Sequence, residues 1–442
     1  MSATTAPASP AAAPTSSAIL APVAAADTSI APAPAQRLSD GGSPPTANQL
    51  SLGTTLTQDA YDAWEDPTSV SAGKAVLSGA VRFEAQHLMG FGALNPSPAP
   101  GVTDWSSLDA RLATIREAGA EPVLILCCSP DWMKGGVAGT TDWTTIENAP
   151  LPAHFADFAA LAAAAAQRYP FVKYFVVWNE LKGFYDPATN NWKIDQYLNL
   201  WRLTATAIRA VRPDALIGGP YVPIDSFTAG TIASHPSAVR GPWGTVDERA
   251  LDVLSDFLTS TDADFIAVDA STTPKNTDQP PGNPFAATAK FSAIDDWLRA
   301  RTAKPIWWVE FYPQPPSVDW TADQQAAAEA DSLMRMAYSG ASAAFLWGPI
   351  ADASGRPSLT DQVHEPGGGN ATATARVFAT LNRLLQPGVP IQPLVSNDPD
   401  IEGWRIGDVL VVVNLSANAT TIGLPNGGQA LVTPWSVSTV AG

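Results

Sequence analysis

The sequence predicts an α/β protein, a (β/α)8 TIM barrel with a small C-terminal β domain and a disordered N-terminal stalk. Three observations predict it. From about residue 49, short apolar runs alternate with longer amphipathic or Ala-rich stretches, the pattern of βα units around a parallel sheet. Eight such runs fall within about 300 residues, the size of one barrel. No Gly-rich phosphate loop follows the first run, as the rival open, doubly wound sheet would normally show.

The strands are expected in order at 50–56, 79–83, 122–128 (PVLILCC), 174–178 (YFVVW), 215–218, 265–268 (FIAV), 305–309 (PIWWV) and 343–347. Continuous apolar runs such as PVLILCC suit strands covered on both faces. Helices are expected at 105–118, 153–168, 194–211, 249–260, 289–301 and 321–338, with a further one at 372–385. Leu108, Leu112 and Ile115 show the helical spacing within the first of these. After about residue 387 the pattern changes to short alternating runs at 391–396, 402–406, 409–415, 420–424 and 430–440. Turn residues separate them (NDPD at 397–400, NGG at 426–428), as in a small β domain over 388–442.

Residues 1–48 are dominated by Ala, Pro, Ser and Thr, without the basic and apolar regions of an intact signal peptide. They are expected to form a disordered stalk, leaving 49–387 as the barrel, and to belong to a secreted or cell-surface protein. The bland alternative is a cytoplasmic protein with a floppy arm. No apolar run reaches the length of a membrane span, so no membrane insertion is expected. The formal net charge of −17 argues against nucleic acid and anionic surfaces as partners. A carbohydrate fits better, and the 15 Trp supply indole faces on which sugar rings stack, although Trp fills cores equally well. Cys127 and Cys128 are adjacent; neighbouring side chains on a strand point to opposite faces, so a mutual disulfide is not expected. The four His are scattered without metal-ligand spacing, and neither a GxSxG elbow nor a P-loop occurs, so no metal or cofactor is expected.

Reactive residues of a barrel sit at the carboxyl ends of its strands. Asn179 and Glu180 follow YFVVW, and Glu310 follows PIWWV. A charge directly after such runs is costly unless it is paired or lies in a polar site, and an ion pair would explain either Glu alone. Two together match the needs of glycoside cleavage, one acid to protonate the leaving oxygen and one carboxylate to attack. With WNE at 178–180 and a Glu closing the seventh strand, the sequence resembles the large clan of retaining barrel glycoside hydrolases, family 39 above all. Val81-Arg82-Phe83, Ser129-Pro130, Gly218-Gly219-Pro220 and Asp264-Phe265-Ile266 agree with that resemblance over roughly residues 50–350. It departs where the family usually reads WNEPN and this chain reads WNELKGF. It departs again at Glu84, where a His is usual, and at Asp269 and Ser271, where the family tends to place a His and a Tyr.

The resemblance implies double displacement on a β-linked poly- or oligosaccharide, with Glu180 as acid/base and Glu310 as nucleophile. Asn179 would bond the sugar 2-hydroxyl; Arg82 would hold Glu310 ionised or else form a plain structural ion pair, and Trp347 would floor the sugar or else fill the core. Trp132, Tyr312, Glu84 and Asp269 are further candidates for substrate contacts. Two other readings stand beside this one, a transglycosylase using the same pair and a barrel that binds glycan without cleaving it.

Overall fold

The structure is a computed structural model that describes residues 36–228, 235–351 and 358–442. Eight parallel strands close into a barrel: β1 Ser51–Thr55, β2 Phe83–His87, β3 Glu121–Leu126, β4 Tyr174–Val177, β5 Leu216–Pro223, β6 Phe265–Ser271, β7 Ile306–Tyr312 and β8 Ala343–Trp347. Each is followed by one main helix: α1 Pro67–Ala80, α2 Ser106–Glu117, α3 Phe155–Arg168, α4 Ile194–Val211, α5 Glu248–Ser260, α6 Ala289–Arg299, α7 Ala322–Ser339 and α8 Ala373–Leu384. The expected (β/α)8 fold is the one observed.

Local chemistry sets the helix ends. Asp66 caps α1 through the Ser69 N–H, with Pro67 in the first turn, where its missing N–H costs nothing. Thr321 and Gln324 form a reciprocal capping box on α7, and Gly340 ends it at φ 88°, a conformation that glycine adopts without a Cβ penalty.

Phe83, Tyr174, Phe265, Trp307 and Phe345 fill the lower barrel in one aromatic cluster, with Phe265 and Trp307 stacked at 4.3 Å between centroids. A Cβ on Gly218 would stand 2.2 Å from the Phe265 ring, so this packing needs glycine there. The plug closes the floor, and the carboxyl ends of the strands are left for chemistry.

Two expectations shift. The second strand lies at Phe83–His87 rather than 79–83, because Gly79 and Ala80 complete α1 and the Val81 N–H bonds the Leu77 carbonyl. The FEAQH strand hides its pattern, since its outward residue Gln86 meets buried Arg111 of α2 at 2.6 Å instead of an apolar helix face. Cys127 and Cys128 are bonded to each other, at 2.09 Å. They lie past Leu126, where the ladder and its strict alternation of side chains have ended.

The C-terminal sheet comprises β9 Pro390–Ser396, β10 Ile401–Ile406, β11 Val409–Asn414, β12 Thr420–Gly423, β13 Gln429–Val432 and β14 Ser436–Ala441. The run expected at 430–440 is thus two strands. Residues 36–48, expected in the stalk, belong to the fold. Gln36–Asp40 inserts between β9 and β12, and Leu38 joins the core made with Leu394, Leu410, Val412 and Ile422. Asn48 donates to the Leu385 carbonyl at 2.6 Å. One buried leucine and strand pairing on both sides order this segment. The rest of the expected stalk, 1–35, lies outside the described residues. Arg335 on α7 clamps the sheet to the barrel, bonding Asp331 at 2.8 Å and Glu402 at 2.7 Å.

Candidate active site

Glu180 stands just past β4. Trp178 (φ 72°), Glu180 (φ 46°) and Leu181 (φ 49°) all adopt left-handed backbone, which costs a residue with a Cβ about 1 kcal/mol or more. Local bonds hold the turn. The buried Trp178 indole donates to the Lys182 carbonyl at 2.7 Å, and Tyr197 of α4 donates to the Val177 carbonyl at 2.9 Å. Gly183 (φ 77°) brings this turn against the β3–α3 loop, where a Cβ would stand 2.2 Å from the Ala149 nitrogen. That contact sets Lys182 beside Glu147, at 2.7 Å, and its ammonium also pairs with Glu180. Burial lowers the Lys182 pKa, but the two carboxylates more than reverse this and raise it overall.

Two irregularities aim the facing groups. The β6–β7 register slips between Val268 and Asp269, so Glu310 becomes the partner of Asp269. The β5–β6 register slips between Ala267 and Val268, and the extra residue is Tyr221 at φ 54°. Bulges re-aim side chains in this way. Tyr221 donates its hydroxyl to Glu310 at 2.5 Å, and Tyr312, two residues along β7, donates to the other carboxyl oxygen. Burial and then the charge of Glu180 push Glu310 upward, while the two hydroxyls and Lys182 pull it back. Burial and the Glu310 charge raise both phenols, so they stay protonated as donors. Asp269 completes a trio of carboxyls. Burial, then the charges of Glu310 and Glu180, raise it well above its usual range.

Asn179 lies between these groups and His87. Its Oδ1 is 3.2 Å from His87 Nε2, and its Nδ2 is 3.4 Å from Glu147 and 3.5 Å from Glu180. Burial pushes the imidazole down to about 3, so the ring is neutral and its N–H fixes the amide orientation. Trp347, at the end of β8, meets His87 and Phe91 edge-on and joins Tyr312, Gln314, Gln58 and Glu329 around a cavity of about 570 Å³.

Asn179, Tyr312, Asp269 and Trp347 therefore gather with Glu180 and Glu310. Arg82 does not. It precedes β2 at the barrel floor, exposed, and pairs loosely with Glu121 at 3.6 Å. Two tyrosines replace it beside Glu310. Glu84 also fails as a substrate contact, because strand alternation turns it outward. It is fully buried near Arg111 and Lys74, and burial pushes it up to about 8. Trp132 sits apart on a short turn past β3, its indole donating to the Ser97 carbonyl at 2.9 Å.

Sequence reasoning missed Tyr221, Lys182, Glu147 and His87. Tyr221 follows the noted Gly218-Gly219-Pro220 run directly, and Lys182 lies in the departure from WNEPN. Their positions were visible, but their partners come from other strands and loops. Among the described residues no group of three His, Cys, Asp or Glu is placed to hold a metal ion, and no helix is long and apolar enough to cross a membrane.

Comparison with protein-family models and with curated protein sequences gives no match. Solved structures do match. The GH39 β-xylosidase from Caulobacter crescentus superposes with a TM-score of 0.54 at 18% identity, over 88% of this chain and 83% of that one. SrfJ from Salmonella typhimurium gives 0.61 at 12% identity, over 94% of both chains. The catalytic domain of GH30 xylanase C from Talaromyces cellulolyticus gives 0.54 at 13%, over 88% and 89%. At these identities the likeness is one of fold.

Proposed function

We propose that this protein is a retaining O-glycoside hydrolase that cleaves a β-linked poly- or oligosaccharide by double displacement. One observation carries the reading: two carboxylates, Glu180 after β4 and Glu310 on β7, face a common space at the carboxyl end of the barrel in contrasting surroundings. The fold neighbours named xylosidase and xylanase support a glycan substrate. The Ala/Pro/Ser/Thr-rich first residues support a place outside the cell.

In the first step Glu310 attacks the anomeric carbon while Glu180 gives its proton to the leaving oxygen. In the second, Glu180 takes a proton from water, whose oxygen displaces Glu310. Tyr221 and Tyr312 hold the attacking carboxylate in place and keep it ionised through charge-assisted bonds. Asn179, oriented by His87, offers its amide N–H groups toward the 2-hydroxyl of a sugar seated between the two acids. Trp347 walls the sugar site on the Tyr312 side.

Azide separates the two roles. Glu180→Ala should still form the glycosyl-enzyme from activated aryl glycosides, and azide should restore turnover with the β-glycosyl azide as product. Glu310→Ala forms no such intermediate, and any azide product should be the opposite anomer. Normal hydrolysis by Glu310→Ala would remove Glu310 from the chemistry.

A further inference from the structure

A second cleft, of about 380 Å³, opens beside the first cavity. It is lined by Gly90, Phe91, Leu94, Trp143, Ile146 and Gln58. Gln58 also lines the larger cavity, and Phe91 meets Trp347 at 5.4 Å between ring centroids, so the two spaces adjoin. The cleft is tied to the acid from both walls. Phe91 packs on His87 at 4.2 Å, which bonds Asn179, which reaches Glu180. Ile146 on the other wall precedes Glu147, which holds Lys182 and through it Glu180. Tyr312 and Trp347, by contrast, put the larger cavity on the nucleophile's side.

The cleft floor is built rather than incidental. Gly90 and Ala93 exchange two backbone bonds, at 2.7 and 3.0 Å. Gly90 (φ 76°) lies where a Cβ would stand 2.4 Å from Ile146, and Gly92 (φ 102°) lies equally close to the Arg111 guanidinium. Trp143 begins a short turn that Asp142 caps and Asp131 pins, through the Asp142 N–H at 2.6 Å. Yet 46% of Trp143 and 62% of Leu94 face solvent. An exposed indole on an anchored turn offers a flat apolar face, and the same loop carries Glu147, which holds the Lys182 partner of Glu180.

We infer that this cleft binds the leaving-group side of a glycan chain, with a sugar ring stacked on Trp143, so that the substrate is an oligo- or polysaccharide extending beyond the scissile bond. The inference rests on the reading of Glu180 as the acid. General acid catalysis places the departing oxygen against Glu180, and the cleft lined by Phe91 and Trp143 offers the chain attached to that oxygen a path outward.

The test uses the whole protein in two measurements. In the first, kcat/KM for β-linked tetrasaccharides (xylo-, gluco-, manno- and galacto-series) is divided by kcat/KM for the matching aryl monoglycoside. The ratio should fall at least tenfold in Trp143→Ala and recover largely in Trp143→Phe; an unchanged ratio in an enzyme that cleaves the tetrasaccharide overturns the cleft and leaves the hydrolase intact. In the second, calorimetry on Glu310→Ala with the same tetrasaccharides should show binding that weakens at least tenfold when Trp143→Ala is added. Equal affinity, or no tetrasaccharide binding tighter than its disaccharide, overturns the inference. Trp143-dependent binding by a wild-type protein that hydrolyses nothing would keep the cleft and remove the catalytic reading instead.

Discussion

Two sets of buried carboxyl groups occupy different layers of this barrel. Inside, Glu310 and Asp269 lie at the carboxyl ends of β7 and β6, facing Glu180. Outside, between strands and helices, lie Glu84 on β2 and Asp295 on α6. Burial raises all of them: Glu84 to about 8 and Asp295 to about 7, and Glu310 and Asp269 upward as well. A raised carboxyl therefore does not mark the reactive group here. What differs is the company. Asp295 is satisfied by the Trp308 indole at 2.9 Å and the Ser339 hydroxyl at 2.6 Å, inside closed packing. Glu310 instead receives two phenols aimed by bulges, faces a second carboxylate, and stands among side chains that line an open cavity. Convergence on shared space is the signature of function, and perturbation alone is not.

That contrast can be broken by mutation. The largest effect is expected from Glu310→Gln, which keeps the shape and removes the proposed nucleophile. Hydrolysis should fall by on the order of 10⁴-fold or more, while the melting temperature at pH 7 holds or rises, since a costly buried charge is gone. A melting temperature that collapses with activity would move Glu310 into the structural set.

Tyr221→Phe removes one of the two hydroxyl bonds. A hydrogen bond to a charged group contributes about 1.5–3 kcal/mol, so kcat/KM should drop roughly 10- to 100-fold. The bond favours the ionised carboxylate, and its loss raises Glu310 further. On the proposed mechanism activity requires that carboxylate and fails as pH falls through its pKa, so the acid limb of the kcat/KM profile should move to higher pH. An unmoved limb would show that Tyr221 merely packs.

The smallest effect belongs to the outer set. Glu84 rises from 4.5 to about 8 on folding, so the native state holds a proton that the unfolded chain has released. Its contribution to stability is complete below about pH 4.5 and is lost as pH rises through about 8, at up to ~1.4 kcal/mol per pH unit. Glu84→Gln should flatten the decline of stability between those limits and leave kcat untouched. An unchanged slope would show that Glu84 is ionised beside Arg111.

Much of this was legible in the sequence. The apolar runs of β3, β4 and β8 announce themselves because both faces of those strands are covered by apolar neighbours. WNE and the Glu closing PIWWV point to the pair because strand ends are where a barrel concentrates chemistry. The strand FEAQH was illegible for a physical reason: its outward Glu84 and Gln86 face the buried Arg111 rather than apolar side chains, so the strand carries no apolar signature. Arg82 was misplaced with it, since moving the strand by four residues sends Arg82 from the candidate site to the floor. Tyr221 and Lys182 were beyond reach because a bulge and a turn with positive φ decide where they point, and neither leaves a periodic trace. The strand Gln36–Asp40 is ordered by partners some 350 residues away, at Leu394–Ser396, which no local pattern encodes.

The central claim is that Glu310 attacks and Glu180 serves as acid and then base. The most direct measurement is proton NMR of the anomeric configuration of the sugar first released from a β-linked aryl glycoside, recorded before mutarotation. Double displacement predicts the β-anomer as first product. A first-formed α-anomer would contradict the account, because Glu310 would then be activating water and not bonding to the sugar.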